Sequence, residues 1–527
     1  VLGLLAAALA GVSCEGQSPA TSVRPLGRLH WLGKNGLAAQ TNAAGLMTVW
    51  NLPQSAKLEA QTLDKLAAAL SHSFATNRTK PLSAQLSTSL VRPLLEDLLN
   101  RESYVEVRQA GAQQCDWALA IRLDPRRAAL WETNLQTSGL TDRLSLRHAG
   151  DWTLLGPASN ADPLLNEFLA RIQRDHAPSQ ALPGDDWLEA QFNPGRLAAA
   201  LGLDWPLPEG LEQASLLVGG DGATVHERGQ LSFAKPLDLR LEPWTLPTPL
   251  IAGQVTSFTA VRGIAPWLAS LKAWRDLNVG SPPNQAYFWA LQGPPGLSFW
   301  AAPHSDASNQ VSRMADLLLQ KCAPWFSTNP VAKLQKAKDY NGVEWKGIPV
   351  IHPFLKSVGL GKNSFVFGGL FPPPSGTNAN RPLPRDLIKH LEGQEHLVAY
   401  SWELTALRTE AWLPIGQTLR LVAQKAQMPP GSASLAWLRA AGPKLWPSVT
   451  EVSQTGPGQL SFERRSNLGF TAVELHLMAD WLESPEFPHG LHTLLASPFE
   501  ASPAPAPASP PGGQRKQGTI KKQGSGQ

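Results

Sequence analysis

Cysteine is nearly absent from this chain, with 3 residues in 527 and none in a Cys-x-x-Cys pair. Structural zinc, iron–sulfur clusters, c-type haem and thioredoxin-like exchange therefore lack their ligands. Charge is thin as well: Asp, Glu, Lys and Arg make up 17% of the residues, against about 25% in an average soluble domain. Beyond the first residues no apolar run reaches the roughly 20 positions of a spanning helix, so no transmembrane domain is expected. The words of common enzyme sites are missing too. There is no GxSxG elbow, HExxH pair, phosphate-cradling GxxxxGK, EF-hand loop or strand-bound GxGxxG. Neither a metal nor another cofactor is expected.

What is present is a long, apolar chain. Apolar residues make up 43%, enough for cores in two to four units of about 100–200 residues each. The net charge of +4 comes from 46 basic against 42 acidic residues. Arg515, Lys516, Lys521 and Lys522, with no acid after Glu500, supply that whole excess. The body is neutral, and no nucleic acid is expected as its partner.

The two ends differ from the middle. VLGLLAAALAGVSCEG has the length and composition of an export signal, so residues 1–16 are expected to be a signal peptide or a lipoprotein signal. Ala8-Leu9-Ala10 fits small-x-small cleavage, whereas Cys14 after Gly11-Val12-Ser13 resembles a degenerate lipobox and is a lipidation candidate. At the other end, residues 497–527 turn Pro/Ala-rich and then Gly/Gln/Lys-rich. With almost nothing apolar to bury, they predict a disordered spacer. Export would place Cys115 and Cys322 in an oxidising compartment, which makes them disulfide candidates, with a buried thiol as the alternative for each.

Between the ends, helix and strand patterns mix without strict βαβ alternation. The expected fold class is α+β, with antiparallel sheets and packed helices. Leu63, Leu66, Ala67 and Leu70 mark a helix by their i, i+3, i+4, i+7 spacing. ALAIRL at 118–123 and the stretch 364–370 read as strands. A strand–turn–helix unit is suggested by LMTVWNLPQSAKLEAQTL, WLEAQFNPGRLAAAL and LVAYSWELTALRTEAWL. The word GQLSF occurs at 229–233 and 458–462, and FTAV at 258–261 and 470–473. This repetition predicts an internal duplication, with a first half at 17–278 and a second at 279–496, parted near Gly280-Ser281-Pro282-Pro283. GGDGATVHERG, from Gly219, reads as a hairpin turn and not as a phosphate loop.

Few residues stand out as a site. His476 and Asp480 share a helix face, with His489 and His492 nearby, but the wheel makes that face, with Glu483, an ordinary solvated one. Glu474 falls inside the apolar arc of the same helix, and Arg262 holds the matching place after the first FTAV. Both are candidate buried charges needing partners, each other being one candidate pairing. Nineteen tryptophans against four tyrosines raise a glycan-stacking reading, although most sit in apolar company that favours packing.

In LHWLGKNGLAAQTNAAGLMTVWNLPQSAKLEAQTLDKL and GFTAVELHLMADWLESPEFPHGL the chain resembles uncharacterised exported proteins of bacteria with large secretomes. The resemblance spans most of the body and implies export and an α+β fold, with no catalytic residues to carry over. The expectation is an exported, envelope-associated protein that binds or scaffolds an envelope component, protein or glycan, without catalysis. It would reside in the periplasm, as an outer-membrane lipoprotein, or outside the cell. The alternatives are a secreted hydrolase of glycan or peptide and a periplasmic carrier of an apolar ligand.

Overall fold

A computed structural model describes residues 25–488, apart from 76–83, 110–114, 140–143, 159–162, 201–206, 252, 294–296, 328–332, 348–351, 372–382, 423–427 and 430. The described residues form a mixed α+β fold: 14 α-helices and one antiparallel sheet of 18 strands. The expected class holds, with a single sheet in place of several.

The first eight strands are β1 (Pro25–Trp31), β2 (Ser103–Gln109), β3 (Cys115–Arg122), β4 (Leu144–Ala149), β5 (Trp152–Pro157), β6 (Asp186–Phe192), β7 (Leu211–Gly220) and β8 (Val225–Phe233). β1 is central to this set. On one side of it run β2, β3, β5 and β4, and on the other β6, β7 and β8.

The next ten are β9 (Val255–Arg262), β10 (Gln285–Leu291), β11 (Leu297–Pro303), β12 (Lys333–Lys336), β13 (Gly342–Lys346), β14 (Phe354–Leu360), β15 (Asn363–Gly369), β16 (Leu397–Glu403), β17 (Ser448–Gly456) and β18 (Gln459–Ser466). Here β9 is central. β10, β11, β15 and β14 run to one side and β16, β17 and β18 to the other. Every pairing of β1–β8 thus recurs in the same chain order, with β12 and β13 added beyond β14.

The two sets meet where β8 pairs with β18, and the two GQLSF words lie against each other there. Leu231 stands opposite Leu460, and Gly229 opposite Phe462. The chain passes from one set to the other at 234–254, between β8 and β9, whereas the glycine and prolines at 280–283 lie inside the second set, just before β10.

Cross-strand partners share a face, so the registers can be followed from edge to edge. One row runs Leu355, Gly368, Trp300, Phe288, Thr259, Ser401, Thr450, Arg464. It continues through Glu227, Val218, Leu188, Trp31, Ser103 and Ile121. We call the side of the sheet carrying this row the near face.

On the near face of the first set lie α1 (Pro53–Ala75), α2 (Ala84–Asn100) and α3 (Pro125–Thr137). Leu63, Leu66, Ala67 and Leu70 of α1 are buried with Val105, Leu119 and Ile121, as their spacing predicts. α4 (Pro163–Asp175) covers the far face through Leu164, Leu165, Phe168 and Ile172 against Ala118, Ala120 and Leu154.

In the second set α5 (Ala307–Ser327) follows β11 as α3 follows β3, and it too lies on the near face, against Trp300, Leu355 and Val366. α6 (Arg385–Glu392) follows β15 as α4 follows β5, and packs on the far face with Tyr287, Phe299 and Tyr400. α7 (Thr405–Val422), α8 (Ala433–Ala441) and α9 (Ala472–Glu483) complete the helices of eight or more residues. The last two bury Trp437, Leu438, Leu475 and Ala479 against Val49 and Leu58 of the first set.

The strand–turn–helix words fare differently. WLEAQF and LVAYSWE are β6 and β16, which occupy equivalent places and each lead into a helix. LMTVW is helical throughout, within Ala44–Trp50. FTAV at 258–261 lies in β9, while at 470–473 it straddles the start of α9, so these two copies are not structural counterparts. GGDGATVHERG is the expected hairpin, its turn fixed by the Asp221 carboxylate accepting from the N–H groups of Ala223 and Thr224 at 2.9 and 2.7 Å.

Candidate functional site

The near face is not covered evenly. Between β1 and β2 the chain inserts α1 and α2, but between β9 and β10 it makes only two short helices, Ala265–Ser270 and Lys272–Leu277. Among the described residues the sheet over the second set is consequently left open as a groove of about 560 Å³, within the range of small-molecule sites. Ser257, Thr259, Phe288, Trp300 and Ser401 form its floor; Met314 and Leu318 of α5, with Trp345 and Leu355, form one wall. Arg408 and Trp412 of α7, with Thr471 and Val473 at the start of α9, form the other. β9 shows the asymmetry residue by residue: its far-face positions are buried and its near-face positions only partly so. Phe288 is 47% exposed, a large aromatic side chain open to solvent in the middle of a strand.

One end of this apolar groove is polar. Glu403, the last residue of β16, is buried, and its Oε1 accepts from the N–H of Ala472 at 2.7 Å. The first turn of α9 thereby receives a carboxylate where its N–H groups need an acceptor. Burial pushes the Glu403 carboxyl above its ordinary pKa, against the opposing pull of that N–H. Arg408 is 5% exposed. Its guanidinium lies over the Trp412 ring at 5.6 Å, an i, i+4 pair on one helix face. Burial lowers its pKa, partly offset by the charge of Glu403. Nη1 of Arg408 and Nε1 of Trp412 are both buried without an acceptor, and among the described residues no carboxylate comes within ion-pair distance of Arg408. The start of α9 is held by a capping box: Thr471 Oγ1 accepts from the N–H of Glu474, and the Glu474 carboxylate accepts from the N–H of Thr471.

Arg262 and Glu474 are not partners. Arg262 is buried on the far face, where its guanidinium donates to the carbonyls of Leu397, Glu242, Gln394 and Glu395 at 2.7–3.0 Å and stacks over Trp244. Backbone oxygens take the place of a counter-ion, and burial lowers its pKa. Glu474 is half-buried on the near face and makes a two-pronged pair with Arg464, both distances 2.9 Å. Arg464 also faces Glu227 across β18 and β8. The Glu227 carboxyl is pushed up to about 7 by burial, against Arg464 and with Glu474.

The helix face read as solvated is instead packed. His476 Nε2 lies 2.9 Å from the Thr409 carbonyl and donates to it, and burial lowers its pKa. Asp480 pairs with Arg420 of α7, and Glu483 accepts from the Ser434 N–H of α8. A single helical wheel has no means of showing that α7 and α8 lie against its polar side. Among the described residues no three metal-ligating side chains come together. His489, His492 and Cys14 lie outside the described residues, as do the side chains of Cys115 and Cys322, whose backbones stand in β3 and α5.

The tryptophans divide. Trp31, Trp117, Trp131, Trp152, Trp187, Trp289 and Trp437 are buried, while Trp267 and Trp446 are more than half exposed. Arg408 and Phe288 carry no motif, and neither stood out in the sequence. Phe288 shares its strand phase with Ala286 and Ala290, so no alternation of polar and apolar residues marks it. No known protein family, curated protein or solved structure matches the chain.

Proposed function

We propose that this is an exported, envelope-associated binding protein without catalytic activity, and that the groove over the second strand set is where it holds its ligand. We also read the two strand sets as copies of one unit. The same seven pairings in the same order, with crossover helices on matching faces, support that reading. In the first copy helices fill the near face; in the second the same face receives a guest.

The observation that carries the binding reading is the uncovered near face with Phe288 at its centre. Exposed apolar surface of this kind is retained where something binds it. A glycosidase requires two facing carboxylates, and among the described residues lining the groove Glu403 alone is an acid, already engaged by the N–H of Ala472. Export rests on the apolar first residues, outside the described part.

The test is saturable binding of the apolar dye N-phenyl-1-naphthylamine, followed by its fluorescence, to the wild type and to Thr259→Trp, which fills the groove floor. One-to-one binding lost in the variant, with thermal unfolding little changed, is the expected result. Absence of saturable binding to the wild type, or equal binding by the variant, would remove the groove as the seat.

A further inference from the structure

The groove is apolar along most of its length but ends in a pole of donors. Arg408 is nearly fully buried there, lines the groove, and has a guanidinium nitrogen with no acceptor. The indole N–H of Trp412, one helical turn on and beneath that guanidinium, is in the same condition. Buried donors are ordinarily satisfied, and a buried cation needs an anion close by. Glu403 does not supply it, because its carboxylate is bonded to the backbone of Ala472 and lies beyond ion-pair distance of Arg408. A guanidinium presents a planar fork that matches a carboxylate.

We propose that the ligand is an amphipathic monocarboxylate, an apolar chain or ring system carrying one carboxylate. Its apolar part lies along Phe288, Trp300 and Leu318. Its carboxylate accepts from Arg408 and from the indole N–H of Trp412. This rests on the binding reading above and adds the head group to it. The Thr259 and Ser401 hydroxyls at the floor already bond each other at 2.8 Å, so they do not compete for the head group.

The experiment titrates the full chain with decanoate, decan-1-ol and decyltrimethylammonium at neutral pH, following displacement of N-phenyl-1-naphthylamine. Decanoate is expected to displace the dye at least about tenfold more tightly than decanol, and the cation most weakly; a tenfold ratio corresponds to about 1.4 kcal/mol. In Arg408→Met the acid and the alcohol should converge while the alcohol is held as before. Trp412→Phe keeps the ring, removes the N–H and should narrow the gap without disturbing the fold, which keeps the test decisive if Arg408→Met does not fold. Equal displacement by acid and alcohol in the wild type overturns the carboxylate while leaving the groove as a binding site. No displacement by any of the three overturns both.

Discussion

Val105 and Phe288 occupy the middle of equivalent strands, β2 and β10, on the same face of the same sheet, yet one is 1% and the other 47% exposed. The strand pairing around them is alike. What differs is the connection that enters each strand: α1 and α2 in the first set, two six-residue helices in the second. Pairing order therefore determines which residues share a face, and the connections determine whether that face becomes core or surface. A sheet face is apolar in effect only once something lies on it.

Four measurements would break or sharpen this contrast. The largest effect is expected where the first set is covered: Trp131, buried in α3 and donating to Asp97 at 2.9 Å, anchors the helices there. Trp131→Ala should lower stability by about 3–5 kcal/mol, read from urea unfolding. A loss below about 1 kcal/mol would mean the cover is dispensable.

The second concerns the seam between the sets, where Glu227 is protonated at about 7 in the folded chain against the ordinary 4.5. The folded state then binds the extra proton between those values, so the stability this group contributes is full below 4.5 and is lost as pH rises through 7, by about 3 kcal/mol. Glu227→Gln should flatten that slope in thermal unfolding measured from pH 4.5 to 8, and an unchanged slope would assign it elsewhere. Third, Thr471→Ala removes the cap of α9 at the groove wall and should cost about 1 kcal/mol of unfolding free energy, with weaker dye binding. The smallest effect is expected at the exposed aromatic itself. Phe288→Ser should change stability by no more than about 0.5 kcal/mol while weakening the groove's hold on apolar dye. A loss like that of a buried core residue would show that the second set is covered after all.

Much of the fold was legible in the sequence because it is written locally. The spacing of Leu63, Leu66, Ala67 and Leu70 and the alternation through ALAIRL reflect periods of 3.6 and 2 that need no knowledge of neighbours. The recurring strand order was legible only in part. GQLSF pointed to two strands that do meet, but FTAV joined a strand to a helix start, because equivalent strands here keep register and burial rather than letters. Ser103–Gln109 and Gln285–Leu291 share no identical residue in order and still hold the same place. Glu474 was placed in an apolar arc, whereas it serves as the third residue of a capping box and a partner of Arg464. The groove lay beyond reach, since Arg408, Phe288 and Val473 are assembled by three separate elements and no spacing connects them.

The pairing of β8 with β18 also bears on how the chain is made. β8 leaves the ribosome more than two hundred residues before its partner, a wait of roughly 10–50 s at 5–20 residues per second. For that interval the first set carries an unpaired strand edge, which is a template for association with other chains. The second GQLSF lies antiparallel to the first in the finished protein, so the edge waiting for it is matched to its own word. Nascent chains crowded on one message would offer one another the contact that each must keep for itself.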